Sequence, residues 1–241
     1  MPDKDESIIS HIEALRQMLL RCIRALGIVL VPLLFLAPKC LDVFIKLILR
    51  GNDISLNYFS PVEVFLIQIK FALILDIIIC FPYLAKQIWN FCAPALYEHE
   101  KKFIKTAVMT SSLLFIFGSL FCLFVILPLI INFAMGFTTS NVKAMLGISN
   151  VVNLALWLTL SFGVMFQMPL VTYALIKSQI VSYKTVTNCR PYVVVALLII
   201  AGILTPPDIV SQIMLFTPAY LLFETGLLFA KIRTKKSEER E

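Results

Sequence analysis

The sequence predicts an all-α integral membrane protein with six transmembrane helices, the last two short. Two observations carry this. Hydrophobic residues make up 59% of the 241 residues and charged residues 15%, whereas a soluble domain is closer to half apolar and a quarter charged. The apolar residues also gather into runs near 20–38, 64–84, 107–133, 151–176, 192–205 and 209–230. About 20 apolar residues in a helix cross a bilayer core.

The first four runs reach that length or extend to it. Ser10 and Glu13 stand three apart before the first run, a capping-box spacing that predicts the first helix to open at Ser10. The fifth run, "VVVALLIIAGIL", has twelve strictly apolar residues, covering about 18 Å as a helix. "TPPD" (205–208) turns the chain there, because consecutive prolines cannot continue a helix. Local bilayer thinning is expected around the last two spans. Pro32, Pro82, Pro128, Pro169 and Pro218 punctuate the runs and predict fixed kinks. One transmembrane domain over 1–230 and a charged tail over 231–241 are expected.

The basic residues set the orientation. Sixteen lysines and arginines fall with the two termini and the second and fourth loops, against four on the other side. Positive charge marks the cytoplasmic side, so both termini are expected in the cytoplasm. A net charge of +6 is then a topology signal, with no nucleic-acid partner implied. The six cysteines form no C-x-x-C and sit in or beside apolar runs, so neither a disulfide framework nor a zinc site is expected. The acidic start has no basic n-region, so no signal peptide is expected.

Ionisable groups at membrane depth are costly unless paired or hydrated. Glu63, Lys70 and Asp76 belong to the second run, Gln167 to the fourth and Glu224 to the sixth. Glu63 and Lys70 are seven apart, on one helix face but too far for direct contact. Gln167 fits an ordinary interhelical hydrogen bond or the docking of a partner helix. The spans contain no histidine, and no H-E-x-x-H, G-x-S-x-G, Walker A or G-x-G-x-x-G occurs, which argues against an enzyme and against metal or cofactor binding. A proton-coupled small-molecule transporter using Glu63, Asp76 and Glu224 is the alternative. It calls for paired broken repeats, and none is visible.

Between the second and third runs lies "WNFCAPALYEHEKK" (89–102), an acidic corner behind Trp89, Phe91 and Pro94. It reads as a rigid, interface-anchored loop facing the cytoplasm. Together with "HIEALR" (11–16), "FSPVEVF" (59–65), "FGVMFQMP" (162–169), "RPY" (190–192), "LTPPDIVSQ" (204–212) and "LLFETG" (221–226), the segment resembles TatC, the multi-spanning subunit of the twin-arginine protein translocase. The resemblance covers essentially the whole chain.

The resemblance implies a curved, glove-like bundle in the bacterial cytoplasmic (inner) membrane rather than an organellar one. It implies a receptor for signal peptides bearing two adjacent arginines, assembled in several copies with TatB-type and TatA-type single-span subunits. Folded proteins are then exported using the proton-motive force. Carried over residue by residue, it puts Glu100 opposite the arginine pair and Phe91 beside it. Pro82, Gln87 and Pro94 are the loop-shaping positions. Guanidinium prefers bidentate carboxylates, so a second acid is expected near Glu100. The family commonly has an acid where this chain has Ala14. Glu13, beside Arg16, and Glu98 are the candidates for the missing carboxylate. Many members carry Glu where this chain has Gln167, which keeps hydrogen bonding and loses titration. Gln167, Asp208, Gln212, Glu224, Glu63 and Lys70 are the candidate partner-docking or polar intramembrane groups.

Overall fold

A computed structural model describes residues 4–49, 56–58, 60–96, 101–136, 146–178, 180–204 and 209–238. Among these the chain is helical throughout, apart from turns and one parallel pairing of two residues each, Leu56–Asn57 against Leu146–Gly147. The helices are α1 (Lys4–Ile48), α2 (Pro61–Leu96), α3 (Lys101–Phe121), α4 (Leu127–Met135), α5 (Ile148–Met165), α6 (Met168–Lys177), α7 (Tyr183–Asn188), α8 (Arg190–Leu204) and α9 (Ile209–Glu238). A π-helical turn, Cys122–Ile126, joins α3 to α4.

Five segments are long and apolar enough to cross a membrane: His11–Ile48, Val62–Phe91, Ile104–Met135, Ile148–Lys177 and Gln212–Ile232. The fifth apolar run is the shorter helix α8, with 15 residues, about 22 Å long.

Several helix boundaries differ from the sequence-based expectation. α1 starts at Lys4, six residues before the predicted cap, so Ser10 lies inside the helix and does not open it. α1 also runs through Pro32 and Pro38 to Ile48, well past the predicted end near 38. The expected loop at 89–102 contracts: its residues up to Leu96 belong to α2, and α3 begins at Lys101. Pro82 and Gln87 therefore lie within α2, and so does the backbone of Pro94. At the far end α9 continues to Glu238, taking in most of the expected charged tail.

The prolines of the third and fourth runs have visible effects. Just before Pro128, the Leu127 N–H donates to the Cys122 carbonyl, five residues back. The wider turn precedes a residue that lacks an N–H of its own. The fourth run breaks into α5 and α6 at Phe166–Gln167, with Pro169 in the first turn of α6. Gln167 N–H donates to the Val164 carbonyl at 2.9 Å, a tight turn between the two helices.

The core has two parts. One centres on Cys122, Leu127, Ala155, Leu158, Phe162, Ala201 and Leu215, drawn from the π turn, α4, α5, α8 and α9. The other joins α1, α2 and α5 through Ala37, Leu41, Ile67, Phe71, Ala72 and Val152. Small residues let the backbones approach, as in other membrane bundles. A Cβ on Gly118 would stand 2.7 Å from the Phe162 carbonyl oxygen, and one on Gly163 would stand 2.7 Å from the Phe115 ring.

Candidate functional site

The N-terminal part of α1 meets the C-terminal part of α2. The rings of His11 and Phe91 lie 4.8 Å apart, tilted by 33°. This contact brings Phe91, half-buried, to the same end of the bundle as Glu13 and Arg16, both exposed on α1. Apolar side chains flank the two charged groups, with Ile12 61% exposed and Leu15 39% exposed. A surface of this kind offers a carboxylate, a guanidinium and an aromatic face to whatever docks there. Glu98 and Glu100 lie outside the described residues, as does Asp208.

Two residues back along α2, Trp89 begins a second polar group. Its indole N–H donates to Ser111 Oγ at 3.4 Å. Ser111, buried on α3, donates its hydroxyl to Gln167 Oε1. The amide nitrogen of Gln167 donates to the Ser111 carbonyl at 3.1 Å and to the Gly163 carbonyl at 3.4 Å. Gln167 thus fastens the α5–α6 break to α3. The interhelical reading of this residue describes its position, and both ends of its amide are in use. Ser111 was not a candidate from sequence, where Trp89 reads as part of an interface-anchored corner. A serine among apolar neighbours gives no sign of which helix it will face.

At the opposite end of α2, Glu63 Oε1 accepts the Ser149 backbone N–H at 3.3 Å. Ser149 is the second residue of α5, so the carboxylate satisfies one of the orphan donors at that helix start and suits its dipole. Asn153 Nδ2 donates to Ser149 Oγ at 3.1 Å, and Lys70 Nζ donates to Asn153 Oδ1 at 3.4 Å. Glu63 and Lys70 do not touch, as their spacing required. They are linked through Ser149 and Asn153, four apart on the facing helix.

The last two helices are held by Gln212 and Glu224. Gln212 Nε2 donates to the Leu198 carbonyl at 2.9 Å, tying α9 to α8. Arg190 Nη2 donates to Glu224 Oε2 at 2.8 Å, and the Tyr220 hydroxyl donates to Glu224 Oε1 at 2.9 Å. The ion pair is part-exposed, with side-chain exposures of 41% and 24%. Its contribution is therefore nearer that of a surface pair than of a buried one. Arg190, from "RPY", was not singled out as a site residue. Its role depends on the α8–α9 packing, 34 residues apart in sequence. Among the described residues no group of three or more His, Cys, Asp or Glu side chains is placed to hold a metal ion.

Five long apolar segments, joined by side-chain hydrogen bonds at positions where lipid would otherwise meet polar groups, define a multi-pass membrane protein. Residues 10–218 match the family described as Sec-independent protein translocase protein (TatC). The chain is 36% identical to the Sec-independent protein translocase protein TatC of Haemophilus influenzae, covering 98% of this chain and 93% of that one. It is 32% identical to the TatC of Escherichia coli K12, covering 98% and 92%. The fold superposes on crystal structures of the twin arginine translocase receptor TatC. One has a TM-score of 0.86 at 32% identity, covering 93% of this chain and 99% of that one. Another, in DDM, has a TM-score of 0.85 at 30% identity, covering 91% and 99%. The chain belongs to the TatC family, and its work is Sec-independent protein translocation.

Proposed function

We propose that the chain is the signal-peptide receptor and core scaffold of a twin-arginine translocase. It sits in the bacterial inner membrane with six spans and both termini in the cytoplasm, α8 being the short fifth span. The observation that carries the reading is the His11–Phe91 contact, which gathers an acid, an arginine and an aromatic at one end of α1 and α2. The residues that follow α2 include Glu98 and Glu100.

An arriving arginine pair is planar, permanently charged and suited to bidentate carboxylates. Glu100 takes one guanidinium and Glu13 or Glu98 the other, while Phe91 covers the pair from the apolar side. Arg16 competes for whichever carboxylate is empty and yields it on binding. Pro82, Gln87 and Pro94 set the course of α2 toward this surface. Partner subunits of TatB and TatA type dock along the α5–α6 break and the α8–α9 pair, where Gln167, Gln212 and Glu224 bring polar groups to apolar faces, and Asp208, just before α9 in the chain, serves the same docking. Lys70 and Glu63 serve the scaffold at the opposite end. Surrounding lipid and further copies of the chain complete a multi-copy complex, and the proton-motive force drives export.

The test is photo-cross-linking of the membrane-inserted chain to a signal peptide with an Arg-Arg pair. Glu100→Gln is expected to reduce cross-linking at least tenfold and Glu13→Gln less. Full cross-linking and export by Glu100→Gln remove Glu100 from the site. The companion experiment restores export of a folded twin-arginine reporter in cells lacking their own TatC, with the native TatA and TatB subunits supplied alongside.

A further inference from the structure

Asp76 is only 2% exposed, and it lies near the middle of the apolar segment Val62–Phe91. Its partner among the described residues is the Cys80 thiol, one turn on along the same helix, which donates to Asp76 Oδ1 at 3.4 Å. The other acids of the apolar helices discussed above are held differently. Glu63 accepts a backbone N–H, and Glu224 has Arg190 and Tyr220.

The helices packed on α2 are α1, α3 and α5. Between Thr106 and Met135 the third run has no charged residue, and neither does α5. Between Arg24 and Asp42, α1 carries one charge, Lys39, which is exposed. Its Cys40 and the buried Cys122 of the π turn are the thiols on those faces. Lys70, on α2 itself, is six residues from Asp76 and bonds Asn153 instead. No cation therefore meets the Asp76 carboxyl group among the described residues.

A second buried polar group lies near the same depth. The Ser119 hydroxyl of α3 is buried and has no hydrogen-bond partner among the described residues. The Phe81 and Phe115 rings stack at 3.7 Å and fix the level at which α2 passes α3. Five residues back along α2 reach Asp76, and four forward along α3 reach Ser119. These are displacements of about 7.5 and 6 Å in the same direction, because the helices run antiparallel.

We propose that Asp76 is a proton-binding site in the middle of the bundle, neutral while α2 is packed and ionised only when α2 parts from its neighbours. A lone carboxylate in an apolar, cation-free setting gives up its charge by taking a proton from water. The neutral acid needs no cation beside it, and the buried Ser119 hydroxyl at its level makes no bond to it. The packed form binds one proton more than the parted form, so packing weakens as pH rises. This concerns the fold alone and stands whether or not the receptor reading holds.

Infrared spectra of the full chain in lipid nanodiscs test it. At neutral pH the carbonyl stretch of a protonated carboxylic acid is expected. It should vanish in Asp76→Asn, shift in Asp76→Glu and persist in Glu63→Gln. The Asp76→Glu shift keeps the test open if the Asp76→Asn variant folds poorly. A spectrum without the band, or one that the Asp76 variants leave unchanged, overturns the proton site. The opening is read from Cys80 in a chain whose other five cysteines are alanine. At a pH where the band has gone, maleimide should label Cys80 at least tenfold faster in that chain than in its Asp76→Asn variant at the same pH, although removing the acid by itself makes the thiol more reactive. Equal or slower labelling overturns the coupling.

Discussion

The first helix and the α5–α6 segment are both apolar enough to span a membrane, yet their surroundings are opposite. None of the most apolar 18-residue window of α1 is buried within the protein, against half of the corresponding window in Ile148–Lys177. α1 is the longer segment, but it presents Ile28, Val31 and Phe35 outward, the last 81% exposed. α5 instead buries Val152, Ala155, Leu156, Leu158, Thr159, Phe162 and Gly163. Lipid tails are as apolar as leucine, so the hydrophobic effect that inserts a helix does not choose its neighbours. Packing does, through small residues and shape.

The sharpest test of that contrast removes one large ring from each region. Phe115 is fully buried and stacks on Phe81, whereas Phe35 faces outward. Phe115→Ala is expected to destabilise the bundle by about 3–5 kcal/mol, and Phe35→Ala by less than about 0.5 kcal/mol. Denaturant titration in mixed micelles measures both, and equal losses would break the comparison. A smaller effect is expected at the glycines. Gly118→Ala forces a Cβ against the Phe162 carbonyl and is expected to cost about 1–3 kcal/mol. Gly27→Ala meets nothing within 4 Å and is expected to be neutral or to gain up to about 1 kcal/mol from helix propensity. The smallest is Gln167→Leu, which breaks the tie between the α5–α6 turn and α3. About 1 kcal/mol of stability should be lost, and Trp89 fluorescence should shift as Ser111 loses its acceptor. An unchanged spectrum with full stability removes Gln167 from the tie.

How much was readable beforehand differs from residue to residue. The six apolar runs and their order needed only composition and periodicity, because a bilayer sets the length of what crosses it. The polar residues at depth were also readable, since each is conspicuous among leucines and isoleucines. Their partners were not. Glu63 proved to serve the start of α5, 86 residues away, and Glu224 the start of α8, 34 residues away. The helix ends misled for a local reason. Ser10 has the spacing of a cap, yet the helix begins at Lys4. The first run was expected to end near 38 and Pro94 to shape a loop, yet the helix backbone runs through Pro38 and Pro94 alike. Likewise the aromatic–acidic corner at 89–102 is mostly the end of α2, which carries Phe91 to His11.

By itself the sequence determined the class of protein, the approximate spans, the charge asymmetry and the short fifth run. These follow from sums over many residues, where single errors cancel. The tertiary structure alone decided which apolar faces meet protein rather than lipid. It also set where α1 and α2 end, and which polar group answers which. Those outcomes turn on individual contacts of about 3 Å between helices far apart in the chain, and no local pattern encodes them.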